Sequence, residues 1–117
     1  MSQDECMPHL RSSIGSIQLD MLINNAGILS EETLDDLNMA RIQAQLEVNA
    51  LGPLRVTSAL LPNIKDGGKV FIITSRMGSI ADNTSGEFYG YRMSKAAVNM
   101  LAKNLAIDLR PRGKLFR

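Results

Sequence analysis

Tyr91 and Lys95 stand four residues apart in "YGYRMSK", a spacing that puts two side chains on one helix face, one turn apart. A phenol titrates near ~10 and is a poor acid at neutral pH, but a nearby ammonium favours phenolate and draws that value down. A tyrosine tuned in this way gives a proton to a carbonyl oxygen or takes one from an alcohol. A hydroxyl such as that of Ser75 then holds the same oxygen by hydrogen bond. Such chemistry needs a hydride partner. The Y-x-x-x-K spacing is equally an ordinary helix-surface pattern, so its meaning depends on the surrounding chain.

Asn49 is polar beside an apolar stripe and lies four residues ahead of Pro53. Proline has no N–H, so the Asn49 carbonyl loses its helical partner. Two arrangements satisfy that carbonyl. In one, a water bridges it to the Lys95 ammonium and forms a proton relay; in the other, Gly52 and Pro53 kink a packing helix and the Asn49 side chain caps the kink. Other candidates are weaker. Ser79 lies past Gly78 in a loop, Tyr89 has Met93 rather than a lysine four residues on, and Arg76 reads as a solvated loop residue. A serine hydrolase lacks support, since no G-x-S-x-G surrounds Ser75 and the lone His9 sits in a polar lead-in.

The elements that position these residues are readable. "IQLDMLINNAG" is a short apolar strand ending near Ile23, stopped by paired asparagines and Gly27. "TLDD" fits a capping box, Thr33 with Asp36, so "EETLDD" reads as a helix start rather than catalytic carboxylates. Met39, Ile42, Leu46, Ala50, Leu54, Thr57 and Leu61 recur at steps of three and four, which predicts one long helix. Pro62 and a "KDGGK" turn close it. "VFIITS" then reads as a strand covered on both faces, its apolar run ending at Thr74 and Ser75. After the loop "ADNTSGEFYG", a second helix runs from Tyr91 to Arg110, with Val98, Leu101, Leu105 and Leu109 on its apolar face and "PRG" as its stop. The order βαβα predicts an α/β fold with a parallel sheet. In open parallel sheets ligands bind beyond the carboxyl ends of the strands, where Asn24, Asn25, Gly27, Thr74 and Ser75 lie.

The chain has 117 residues, 44% hydrophobic and 21% charged, with net charge +1. That is a single soluble domain with no strong field for nucleic acid or anionic lipid. One cysteine, Cys6, and one histidine exclude a disulfide framework or a His/Cys metal cluster built from this chain alone. Charges interrupt the N-terminal stretch where a signal peptide needs an apolar core, and no long apolar span follows, so a cytoplasmic protein is expected.

Four ordered motifs, "INNAG", "VNALGP", "IITSRMGS" and "YRMSK", resemble the short-chain dehydrogenase/reductase family over roughly residues 18–113. "GYRMSKAAVNM" is most similar to its C-factor and sniffer-like carbonyl reductase branch. The resemblance implies the middle βαβα portion of a Rossmann-type doubly wound parallel sheet. It also implies an NAD- or NADP-dependent oxidoreductase acting on a small carbonyl or alcohol, homo-oligomeric in full-length form through its two long helices. Asn49, Ser75, Tyr91 and Lys95 would form the catalytic group, with Asn49 in a proton relay. Tyr91 and Lys95 would also meet the cofactor, Lys95 at the nicotinamide ribose. Asn24, Ala26 and Gly27 would line its adenosine side and brace the sheet.

The family's glycine-rich turn, whose amides and helix N-terminus receive the pyrophosphate, has no counterpart here; "SSIGSIQ" holds one glycine and directly precedes the strand. The early strands and helices are expected to be missing, and the chain to stop at "PRGKLFR" before the next strand. Two strands are too few for a parallel sheet, which predicts a fragment. Either the fragment belongs to an active oxidoreductase, or it is a catalytically silent binding or dimerisation protein of that lineage.

Overall fold

The computed structural model of the chain describes residues 6–25, 27–113 and 115–116. Helix α1, Cys6–Ile14, occupies the stretch expected to be a polar lead-in, so a helix does precede the first strand. It lies against α3, Gly52–Leu60. Strand β1 is Leu19–Asn24, ending one residue beyond the expected position. Thr33 and Asp36 do not cap a helix. The Asp36 amide donates to the Thr33 carbonyl at 3.0 Å, closing a tight turn. The helix start falls instead at Asn38, whose Oδ1 accepts the Arg41 amide at 3.0 Å.

The predicted long helix is broken into three pieces. Helix α2, Met39–Leu46, passes into a π turn, Glu47–Leu51, and then into α3. Pro53 sits in the first turn of α3, and the Gly52 amide reaches back to the Glu47 carbonyl. The π turn falls where Pro53 offers no N–H to the Asn49 carbonyl four residues before it. The buried face also differs from the apolar stripe. Met39 and Leu54 are exposed, whereas Gln45 and Asn49 join Ile42, Val56, Thr57 and Leu60 inside.

Strand β2, Ile64–Ile72, runs through the residues read as a turn. It pairs in parallel with β1, Leu19 opposite Ile64 and Met21 opposite Lys69, so the residues between bulge outward. Gly67 takes φ +81° there, and its amide donates to the Gly113 carbonyl at 2.6 Å. The turn chemistry is real, but it sits inside a strand. Beyond β2 come a 3₁₀ turn, Arg76–Gly78, and helix α4, Tyr89–Leu109, which starts two residues earlier than predicted. A short third strand, β3, Leu115–Phe116, follows and pairs in parallel with β2 at Lys69 and Val70. The sheet order is β1-β2-β3, an α/β fold with the sheet one strand wider than expected.

Ile64, Val70 and Leu109 form the buried core, with Leu22, Leu61 and Leu105 packed on it. Strand side chains alternate between faces, so Leu22 and Val70 meet the helices while Met21 and Ile23 point the other way. Met21, Ile23 and Ile73 are 48%, 55% and 50% exposed, so the sheet is covered on one face rather than both. Among the described residues no helix is long and apolar enough to cross a membrane.

Candidate active site

A cavity of ≈ 250 Å³ opens at the carboxyl ends of β1 and β2, lined by Asn25, Gly27, Ile28, Leu29, Ile73, Thr74, Tyr91 and Lys95. Helix α4 delivers the last two from its first two turns. Lys95 is 5% exposed, and its Nζ lies 5.6 Å from the centre of the Tyr91 ring. Burial penalises the ammonium and pushes its pKa below the ordinary lysine value. A cation held over a ring in this way gains from the ring's quadrupole. Gly27 forms the opposite wall. A Cβ there would stand 3.5 Å from Asn49 Oδ1 and 3.7 Å from Lys95 Nζ, so Gly27, Asn49 and Lys95 meet.

Asn49 is buried, and its side chain is not spent on its own kink. Its Oδ1 accepts the Ile28 amide at 2.8 Å, its Nδ2 donates to the Ile28 carbonyl at 2.8 Å, and the same Nδ2 donates to Ser94 Oγ at 3.0 Å. The amide thus pairs with Ile28 as a neighbouring strand would and pins the cavity wall to both helices. Ser94 Oγ in turn donates to the Tyr91 carbonyl at 2.8 Å. The side-chain cap weighed for the proline kink is therefore not the arrangement seen.

Ser75 lies one residue beyond Thr74 and is not among the lining residues. The 3₁₀ turn folds its Oγ back to accept the Met77 amide at 3.2 Å. That turn is pressed against α4. A Cβ at Gly78 would stand 2.7 Å from the Lys95 carbonyl carbon and 2.9 Å from Asn99 Nδ2. Asn24 faces away from the cavity. Its Nδ2 donates to Thr57 Oγ1 at 3.2 Å and to the Phe71 carbonyl at 3.5 Å, bracing β1 to α3 and β2. It lines a larger, mainly apolar cavity of ≈ 410 Å³ beneath α1 and α3 that contains neither Tyr91 nor Lys95. Ala26 lies outside the described residues.

Sequence reasoning missed three residues that hold this arrangement. Glu32, taken as part of a helix start, is buried and faces α4. Its Oε1 accepts the Gly90 amide at 2.8 Å, its Oε2 accepts Ser30 Oγ at 2.5 Å, and Gln45 Nε2 stands 3.3 Å from the carboxylate. Gln45 Oε1 accepts the Ser30 amide at 3.1 Å. Gly90 completes the set, since a Cβ there would lie 2.2 Å from Gln45 Nε2. Burial raises the Glu32 pKa, but the bonds from Ser30, Gly90 and Gln45, with the charge of Arg41, outweigh it and hold the carboxyl below its usual range. One signal was available: Gln45 lies four residues before Asn49, a second polar residue on the same helix face.

The chain matches the short chain dehydrogenase family over residues 3–114. It is 51% identical over 98 residues to "C-signal" of Myxococcus xanthus, an alignment covering 81% of this chain and 59% of that protein. Its fold superposes on carbonyl reductase Sniffer of D. melanogaster with a TM-score of 0.80 at 27% identity, covering 95% of this chain and 50% of that one. An NADPH-bound carbonyl reductase from chicken fatty liver matches with a TM-score of 0.88 at 27% identity, covering 98% and 52%. The chain therefore spans about half the length of these relatives.

Proposed function

The chain belongs to the short-chain dehydrogenase family, and on that premise we propose that it carries the acid/base part of an NAD- or NADP-dependent oxidoreductase. The reaction is reduction of a small carbonyl compound, or oxidation of the corresponding alcohol, in the cytoplasm. One observation carries this reading: Lys95 is buried over the Tyr91 ring in a cavity at the strand ends.

The lining suits the nicotinamide end of such a cofactor, with Gly27 allowing close approach and the buried ammonium offering donors to ribose hydroxyls. At ≈ 250 Å³ the cavity suits that end rather than a whole dinucleotide. When bound, the nicotinamide supplies the hydride. Tyr91 delivers the proton to the carbonyl oxygen, and Lys95 favours the phenolate left behind. The Asn49 carbonyl, released where Pro53 offers no amide, accepts from a water that reaches Lys95 and returns the proton. Ser75 holds the substrate oxygen once its hydroxyl turns from the Met77 amide into the cavity. In this reading Gly27, beside Lys95, meets the nicotinamide end rather than the adenosine side that the resemblance implies, while Asn24 supports the cofactor through its brace on β1.

A second reading, a silent binding or dimerisation protein of the same lineage, draws on a different feature. Met93, Met100 and Ile107 are exposed at seven-residue spacing along α4, and Met39 and Leu54 are exposed on α2 and α3. Such stripes suit a helical interface between copies.

The test joins this chain to the parts of the Myxococcus relative that it does not span, then assays aldehydes and ketones with NADPH and NADH. Turnover is expected, falling about 10²–10⁴-fold in the Tyr91→Phe variant with cofactor binding retained. Cofactor binding with turnover unchanged by that substitution refutes the assignment.

A further inference from the structure

We infer that Glu32 is a positioning residue for the Tyr91–Lys95 pair, setting the first turn of α4 against the cavity wall; the inference rests on the acid/base reading given above. Glu32 is 1% exposed, and a buried carboxylate is retained only where donors satisfy it. Here those donors come from both sides of the site. Ser30 and Gln45 belong to the cavity-wall segment and α2, and the Gly90 amide belongs to α4, one residue before Tyr91. The Glu32 main chain joins in, its carbonyl accepting the Phe88 amide at 2.9 Å. One residue therefore holds two amides flanking the start of α4.

That start needs holding. Gly86, Glu87 and Phe88 take φ of +70°, +60° and +51°, a left-handed run in which only the first residue is glycine. The helix N-cap is Phe88, which has no side chain able to bond the free amides. Glu32 supplies the missing acceptor from a distant part of the chain, and its negative charge suits the positive end of the helix dipole. Arg92 secures the other side of the run. Its Nε donates to the Gly86 and Glu87 carbonyls, both at 3.1 Å, and its Nη2 to Ser85 Oγ at 3.1 Å. Asn49 and Gln45 tether Ile28 and Ser30 to α2 and the π turn, and Glu32 carries that register across to Tyr91.

The experiment needs no turnover, so it stands apart from the test of the oxidoreductase reading. The chain has two tyrosines and no tryptophan, so in a Tyr89→Phe background the near-ultraviolet circular dichroism of tyrosine reports Tyr91 alone. Glu32→Ala and Glu32→Gln are compared with that background by this band and by amide hydrogen exchange. With Glu32→Ala, the Phe88, Gly90 and Arg92 amides should exchange at least tenfold faster, and the Tyr91 band should collapse. Amides from Val98 to Leu109 should change less than twofold. Glu32→Gln keeps an acceptor for Gly90 and should restore most of the band. Should Glu32→Ala fail to fold, Glu32→Gln decides: a retained Tyr91 band with faster exchange confined to residues 88–92 supports the proposal. Exchange that rises evenly along α4, or an unaltered Tyr91 band with Glu32→Ala, overturns it.

Discussion

Replacing Gly90 by alanine sets a local rule against a tertiary one. Alanine is favoured over glycine inside a helix by about 1 kcal/mol, so the helix considered alone gains from the change. The added Cβ would lie 2.2 Å from Gln45 Nε2 and 3.0 Å from Glu32 Oε1. Both side chains are buried, so neither can swing into solvent. Overpacking costs about 1–3 kcal/mol, and a lost hydrogen bond to the buried carboxylate costs about 1.5–3 kcal/mol more. The tertiary loss outweighs the gain, leaving a net destabilisation of about 1.5–5 kcal/mol. At roughly 4 °C per kcal/mol, Tm should fall by roughly 6–20 °C. Thermal unfolding followed by far-ultraviolet circular dichroism measures this, repeated in a Gln45→Ala background where the nearer obstruction is gone and the Glu32 carboxylate, 3.0 Å from the added Cβ, has room to shift. There the loss caused by Gly90→Ala should be clearly smaller. An unchanged or raised Tm for the single variant, or equal effects in both backgrounds, refutes the packing argument.

Gly27→Ala should cost little stability, since its Cβ meets atoms no closer than 3.5 Å; a fall in Tm as large as that of Gly90→Ala would contradict this. Lys95 has a lowered pKa because burial disfavours the ammonium. The unfolded chain then binds more protons between the folded value and about 10.4, so stability rises with pH across that window. Lys95→Met should remove the rise and stabilise the chain at neutral pH, as denaturant titrations at several pH values will show. The Glu32 carboxyl is held low, so its contribution is present above about 4.3 and is lost as pH falls through the folded value. Glu32→Gln should flatten that acid limb. Met100→Glu should disperse any dimer built on the α4 stripe, read as a drop in sedimenting mass; an unmoved mass places the contact elsewhere.

Features set by local chemistry were legible in the sequence. The apolar run before the asparagines became β1, the Tyr91–Lys95 spacing fell on α4, and the missing amide of Pro53 correctly located the helix irregularity at Asn49. Long-range partners were not legible. Glu32 looked like a cap because it precedes a helix, yet its carboxylate serves α4, 58 residues away. "KDGGK" has the glycines of a turn, and only pairing with β1 shows that they form a bulge within a strand. The stripe through Met39 and Leu54 assumed that apolar means buried. Gln45 and Asn49 take the inner face instead because Ile28 and Ser30 offer them backbone partners.

The left-handed run at Gly86–Phe88 also orders events in folding. Its two non-glycine residues are locally unfavourable by about 1–2 kcal/mol each. Arg92 holds the carbonyls of the run locally, but the Phe88 and Gly90 amides gain their acceptors only when Glu32 arrives. Closing so long a loop comes late, whereas the middle of α4 can form from local contacts. The turn that carries Tyr91 is then the last part of its helix to form and the first to open. Glu32→Gln should speed unfolding and leave the folding rate nearly unchanged, a φ-value near zero; a value near one would place this turn in the nucleus.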